Sequence, residues 1–145
     1  MEYEKLETAN VIAHFDEEDS VLRITYIGQV TPDVTESVYS WIGRLIVSSG
    51  GNVGLARGSI YDFRQVTDFV NRNLSTAQRE SSQLSRKVDV SNHPVALLVD
   101  TFYQEQFVRL SMKVSKQDNR KRIVHSEADA FTYFDEFHHK LTPQT

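Results

Sequence analysis

"HPVALLVD", residues 93–100, is the most apolar run in the chain. It is a continuous run without polar alternation, the pattern of a strand covered on both faces. Residues 94–99 are therefore expected as the central strand of a sheet with helices packed on it. On the C-terminal side, "TFYQEQFVRLSMKVSK" (101–116) sets Tyr103, Phe107, Leu110 and Val114 at helical spacing. "RKRIVHS" reads as a short strand. "SEADAFTYFDEFHHKL" then reads as a helix capped by Ser126 with Asp129 three residues on. Its expected buried face is Ala130, Phe134, Phe137 and Leu141, with Phe131 nearby.

On the N-terminal side lies "SIYDFRQVTDFVNRNLS" (59–75), which opens as an apolar strand and closes as a helix. Between them Asp62, Arg64, Gln65, Thr67 and Asp68 form a polar group. A turn is expected there, with Thr67 or Asp68 capping a helix over about residues 69–87. That helix carries only a thin apolar stripe, Val70, Leu74, Ala77, Leu84 and Val88, so it should lie on the surface.

Further upstream, "NVIAHF" and "VLRITYIGQV" are β-branched runs separated by the polar turn "DEEDS". In "TPDVTESVYSWIGRLIVSSGG", Thr31 suits a helix cap, Pro32 the first helical position and Asp33 the first turn. Val34, Val38, Trp41, Ile42, Leu45 and Ile46 make one face, and "SSGG" supplies the C-cap. The order is thus strand, strand, helix, strand, helix, strand, helix, strand, helix. It implies an α/β fold with a mixed, mostly parallel sheet of about five strands whose first member is antiparallel. One domain is expected over residues 1–145, with a core from about 10 to 141.

The 145 residues, 39% hydrophobic and 25% charged, suit one globular domain. With no cysteine, disulfides, thiolate metal sites and thiol nucleophiles are excluded. The N-terminus lacks a leader pattern and no run approaches membrane length, so a cytoplasmic protein, not integral to a membrane, is expected. A net charge of -4 disfavours nucleic acid. The basic group Lys113, Lys116, Arg120, Lys121 and Arg122 reads as a helix end running into an edge strand, since no aromatic residues interleave with it.

The chemistry-bearing patterns are sparse. "DEEDS" lacks the spacing and glycine of a calcium loop. "GGNVGLARG" lacks the Lys–Ser/Thr pair of a phosphate loop and precedes a strand. His138 and His139 diverge by about 100° on a helix, and Asp135 with His139 makes only two ligands. Asp62, Arg64 and Asp68 have the side chains for acid–base work, but no nucleophile pattern accompanies them. No catalytic residue, cofactor or metal is expected.

"YDFRQVTDF", "HPVALLVD" and "KRIVHSEADAFTYF", in this order and over nearly the whole chain, resemble the STAS domain, in particular the SpoIIAA-like family named for bacterial anti-sigma-factor antagonists. The resemblance implies a regulatory or binding module without catalysis. It also implies a docking surface after the strand ending at Asp62: Asp62, Arg64, Gln65, Asp68, Asn71 and Arg72. In the family a serine at the start of the next helix is phosphorylated. Aligned on Asp62, Val66 and Phe69, its place falls on Asn71, which cannot take phosphate, and Ser75 lies a turn further on. A protein partner is expected, self-association is left open, and the phosphorylation switch should be missing. The alternative is a carrier or enzyme for an apolar or anionic small ligand. Its pocket would lie at the carboxyl ends of the parallel strands, lined by Asp62, Asp100, Thr101 and Tyr103.

Overall fold

The computed structural model describes residues 3–70, 73–114 and 120–141. A two-residue strand that the sequence pattern did not reveal, β1 (Leu6–Glu7), opens the chain. It pairs antiparallel with β2 (Val11–Asp16), which forms a hairpin with β3 (Val21–Val30). Asp16 Oδ1 accepts from the backbone N–H groups of Glu18 at 3.1 Å and Asp19 at 3.3 Å, and Ser20 takes a positive φ of 56° to close the turn. The acidic turn is answered by a side chain. Arg23 pairs with Asp16, Asp19 and, across the molecule, Glu127.

The helix α1 (Pro32–Ser48) begins where its cap residues place it: Thr31 Oγ1 accepts from Val34 N at 3.3 Å. It ends where Gly50 and Gly51 adopt φ of 72° and 83°, with Gly51 N donating to Ile46 O at 2.8 Å. A short 3-10 turn (Val53–Leu55) leads into β4 (Gly58–Phe69), followed by α2 (Asn73–Lys87), β5 (Val95–Leu98), α3 (Phe102–Val114), β6 (Lys121–Val124) and α4 (Glu127–Leu141). The strands lie in the order β1-β2-β3-β4-β5-β6, antiparallel as far as β3 and parallel from β3 to β6. The sheet thus has six strands where about five were expected. The apolar strand β5 is buried on both faces as expected, but it stands fifth in the order rather than at the centre.

Strand alternation divides the core in two. Leu22, Ile24 and Tyr26 of β3, with Val66 and Phe69 of β4, meet Val38, Trp41, Ile42 and Leu45 of α1. On this same face Tyr61, Phe63, Val95 and Leu97 meet Val108 of α3. Val21, Ile60, Ala96, Leu98 and Val124 point the other way, onto Ala130, Tyr133 and Phe134 of α4. Crossovers of one handedness that march one way across a sheet place their helices on one face, so α1, α2 and α3 share a layer and α4 covers the back. The close approach of α4 needs Gly58: a Cβ there would sit 2.7 Å from the Phe134 ring.

Two expectations are corrected. Residues 64–68 are not a turn, because β4 runs unbroken for 12 residues, and neither Thr67 nor Asp68 caps α2. In α3 the inward residues are Gln104 and Val108, with Phe107 half-buried, while Tyr103 and Leu110 are largely exposed. Val114 and Leu141 lie beyond the side chains described. The expected α4 face is otherwise present in Ala130 and Phe134, and Ser126 Oγ caps it by accepting from Asp129 N at 3.1 Å.

Candidate functional site

The polar stretch of β4 remains a strand because both of its edges find partners. On one side it continues the parallel ladder with β3 through Ile27↔Gln65, Gly28↔Val66 and Val30↔Phe69, with register shifts that absorb the extra residues. On the other side β5 has already ended, and a side chain takes its place. The buried Gln104 of α3 donates Nε2 to Val66 O at 3.0 Å and to Arg64 O at 3.3 Å. Its Oε1 accepts from Asp100 N at 2.8 Å and Thr101 N at 3.1 Å. Tyr103 adds a further tie, its hydroxyl accepting from Phe69 N at 3.3 Å. Gln104 thus does for the strand edge what a neighbouring strand would do.

This places the residues named from the sequence. Asp62 and Arg64 share the α4 side of the strand and hold one another in a two-pronged pair at 2.9 and 3.0 Å. That pairing raises the Arg64 guanidinium above its ordinary range. Gln65, Thr67 and Asp68 are exposed. Asn71 and Arg72 lie outside the described residues. Asp100, Thr101 and Tyr103 cluster at the carboxyl end of β5 and are exposed, and they are not in the lining of the cavity beneath α2.

That cavity has a volume of about 170 Å³ and is partly open to solvent. Its floor is the sheet face bearing Tyr61, Phe63 and Leu97, and one wall is Tyr39, Ile42 and Leu45 of α1. Its roof is α2, which presents Ala77, Ser81 and Ser85 at four-residue spacing, beside Leu84. Small side chains at these positions leave a gap that larger apolar ones would fill. The upper end is pinned by a buried hydrogen bond from Thr35 of α1 to Asn73, the first residue of α2. Burial holds the Tyr26 and Tyr61 hydroxyls well above the usual phenol range, so both are neutral at neutral pH.

At the amino ends of the strands the cavity wall turns polar, with Ser59, His93 and Arg120. Ser59 Oγ and His93 Nε2 are 2.6 Å apart. Burial, with the Arg120 and His138 charges, lowers the His93 pKa to about 4. The Ala56 backbone offsets part of this, yet His93 Nδ1 is buried without a hydrogen-bond partner. Arg120 donates Nη1 to the His93 carbonyl at 2.8 Å, so β6 is tied to the residue that leads into β5. The sequence pattern did not join Ser59 to His93, because 34 residues separate them and only the β4–β5 pairing brings them together. Ala77, Ser81 and Ser85 were visible as a helical row of small residues, the one local sign of the gap. A Ser–His nucleophile is poorly served here: among the described residues no acid orients Nδ1, and an imidazole of such low basicity is a weak base at neutral pH.

Among the described residues no group of three His, Cys, Asp or Glu converges as a metal site, and Asp135 is engaged with Arg57 at 3.1 Å. No helix among them is long and apolar enough to cross a membrane.

One antiparallel hairpin leading into four parallel strands, with three helices on one face and the last on the other, is the SpoIIAA-like, STAS-type fold. The chain is similar to an anti-sigma factor antagonist from Mycobacterium paratuberculosis, at 12% identity and a TM-score of 0.57 over 90% of this chain and 99% of that one. It is similar to an uncharacterised protein of SpoIIAA-like fold from Shewanella loihica, at 14% identity and a TM-score of 0.52, over 89% and 98% of the two chains. A third likeness is to the anti-sigma factor antagonist SpoIIAA in its unphosphorylated form, at 11% identity and a TM-score of 0.50, over 90% and 94%. No family model matches the sequence, and no curated protein matches it.

Proposed function

We propose that this protein is a non-catalytic regulatory or binding module of the SpoIIAA-like fold that holds a small, mainly apolar molecule between its sheet and α2. The cavity of about 170 Å³ carries this reading. Protein interiors pack to crystal-like density, and the apolar walls of a partly open gap lose packing partners to loosely held water. A ligand recovers that loss. The test is titration with an apolar fluorescent probe, alongside an Ala77→Trp variant that fills the gap from its roof. Saturable binding by the native protein, lost in a folded Ala77→Trp, supports the proposal; absence of binding in both rejects it.

A protein partner is the second reading, favoured by the exposed Arg64, Gln65 and Asp68 beside Phe102, which is 78% exposed. The fold is that of anti-sigma factor antagonists, which supports this reading by analogy. Arg64→Ala should then weaken capture of a partner with little change in melting temperature. In either reading the module works without the serine switch, since Asn71 stands at the place of the phosphorylated residue.

A further inference from the structure

Resting on the cavity reading above, we infer that the ligand is an amphipathic monocarboxylic acid, its carboxylate held at the Ser59–His93–Arg120 end and its chain lying under α2. The charge of the wall is one-sided. Among the described residues Arg120 and Lys121 are its only cationic side chains and no carboxylate lines it. The roof at Ser81 and Ser85 and the far end at Thr35 and Asn73 are polar but neutral. Along the strands the wall passes from Ser59, at the start of β4, to the rings of Tyr61 and Phe63, with Ile42 above. Arg120 brings a cation to the polar end, and no carboxylate among the described residues pairs with it; its known contact is the neutral His93 carbonyl. Beside it sit a hydroxyl and a buried imidazole nitrogen that lacks a partner. A cation, a hydroxyl and an unsatisfied polar atom at the one charged end of a gallery whose other walls are uncharged form a recognition set for an anionic head group. The lining follows β4 from Ser59 through Tyr61 and Phe63 to Phe69, which gives a chain a path beneath α2. An engineered cavity of about 150 Å³ takes up benzene, so about 170 Å³ gives room for about six to eight carbon-sized atoms.

The test compares octanoate with 1-octanol, equal in chain and different in head group, by calorimetry and NMR on the full chain. Octanoate should bind at least about tenfold tighter, a difference of about 1.4 kcal/mol. Arg120→Gln should reduce that preference to less than about threefold while octanol binds as before. Intermolecular NOEs should join the octanoate α-methylene to Ser59 and Val95, and its terminal methyl to Phe63 and Ile42. Equal binding of the two probes by the native protein overturns the head-group assignment and leaves the cavity reading standing. Binding of neither rejects the cavity reading and this inference together. A preference that survives Arg120→Gln, or NOEs in the reverse sense, also overturns it. The NOE measurement needs no variant, so it decides the matter even where Arg120→Gln does not fold.

Discussion

Gln104 is the residue on which the carboxyl-end geometry depends. It is 3% exposed and serves four backbone groups, the carbonyls of Arg64 and Val66 and the N–H groups of Asp100 and Thr101. Gln104→Leu preserves size and removes every one of these bonds. Unpaired buried polar groups cost about 1–3 kcal/mol each when fully shielded, and water reaches part of this edge, so a loss of about 2–4 kcal/mol is expected. Urea midpoints measure it, and a variant within 0.5 kcal/mol of the native protein would contradict the assigned role. His93 gives a pH signature. Its folded pKa of about 4 lies below the ordinary 6.5, so between these values the unfolded chain binds a proton that the folded chain refuses. Stability therefore falls as the pH drops through that window, by roughly 2 kcal/mol between pH 7 and pH 5 from this group alone. His93→Gln should flatten that part of the profile. An equally steep fall in the variant would assign the effect to other groups.

At the scale of elements, β5 is the most sensitive strand. Val95, Ala96, Leu97 and Leu98 are all buried, with alternate residues facing α3 and α4. Leu97→Asp sets an unpaired charge against Val108 and Tyr61, a loss of several kcal/mol and comparable to the whole stability of a domain. Circular dichroism should show an unfolded chain, and a folded Leu97→Asp would mean that this strand is not the buried one. Gly58 tests the contact between β4 and α4. A methyl group there would overlap the fully buried Phe134 ring at 2.7 Å, so Gly58→Ala should destabilise by about 1–3 kcal/mol through overpacking. The smaller partner in Phe134→Leu should relieve part of that loss in the double variant, as coupling between touching residues requires.

At the scale of the molecule, the open question is how a helix as polar as α2 is kept on the sheet. Its described inward residues are few, and Thr35–Asn73 at its start and the Glu36–Arg79 pair at 2.9 Å are among its ties to α1. A ligand that fills the cavity should therefore tighten α2 most. At one hundred times its dissociation constant it would add about 2.7 kcal/mol of stability. Hydrogen exchange should slow first in α2, and uniform slowing of the whole chain would point to binding elsewhere. Much of the architecture was determined by the sequence on its own. The limits of β3, the Thr31 and Ser126 caps, the end of α1 and the burial of β5 rest on neighbouring residues, through strand alternation, capping side chains and glycine at positive φ. The antiparallel start and parallel remainder follow from the order of those elements. The path of residues 64–69 was decided only by tertiary structure, because their polar side chains carry no strand signal and their backbone is satisfied by β3 and by Gln104 from far along the chain. The same holds for the cavity, with Ser59 and His93 joined across β4 and β5. Its shape is the space left between helices and sheet, a property of packing that no single stretch of sequence contains.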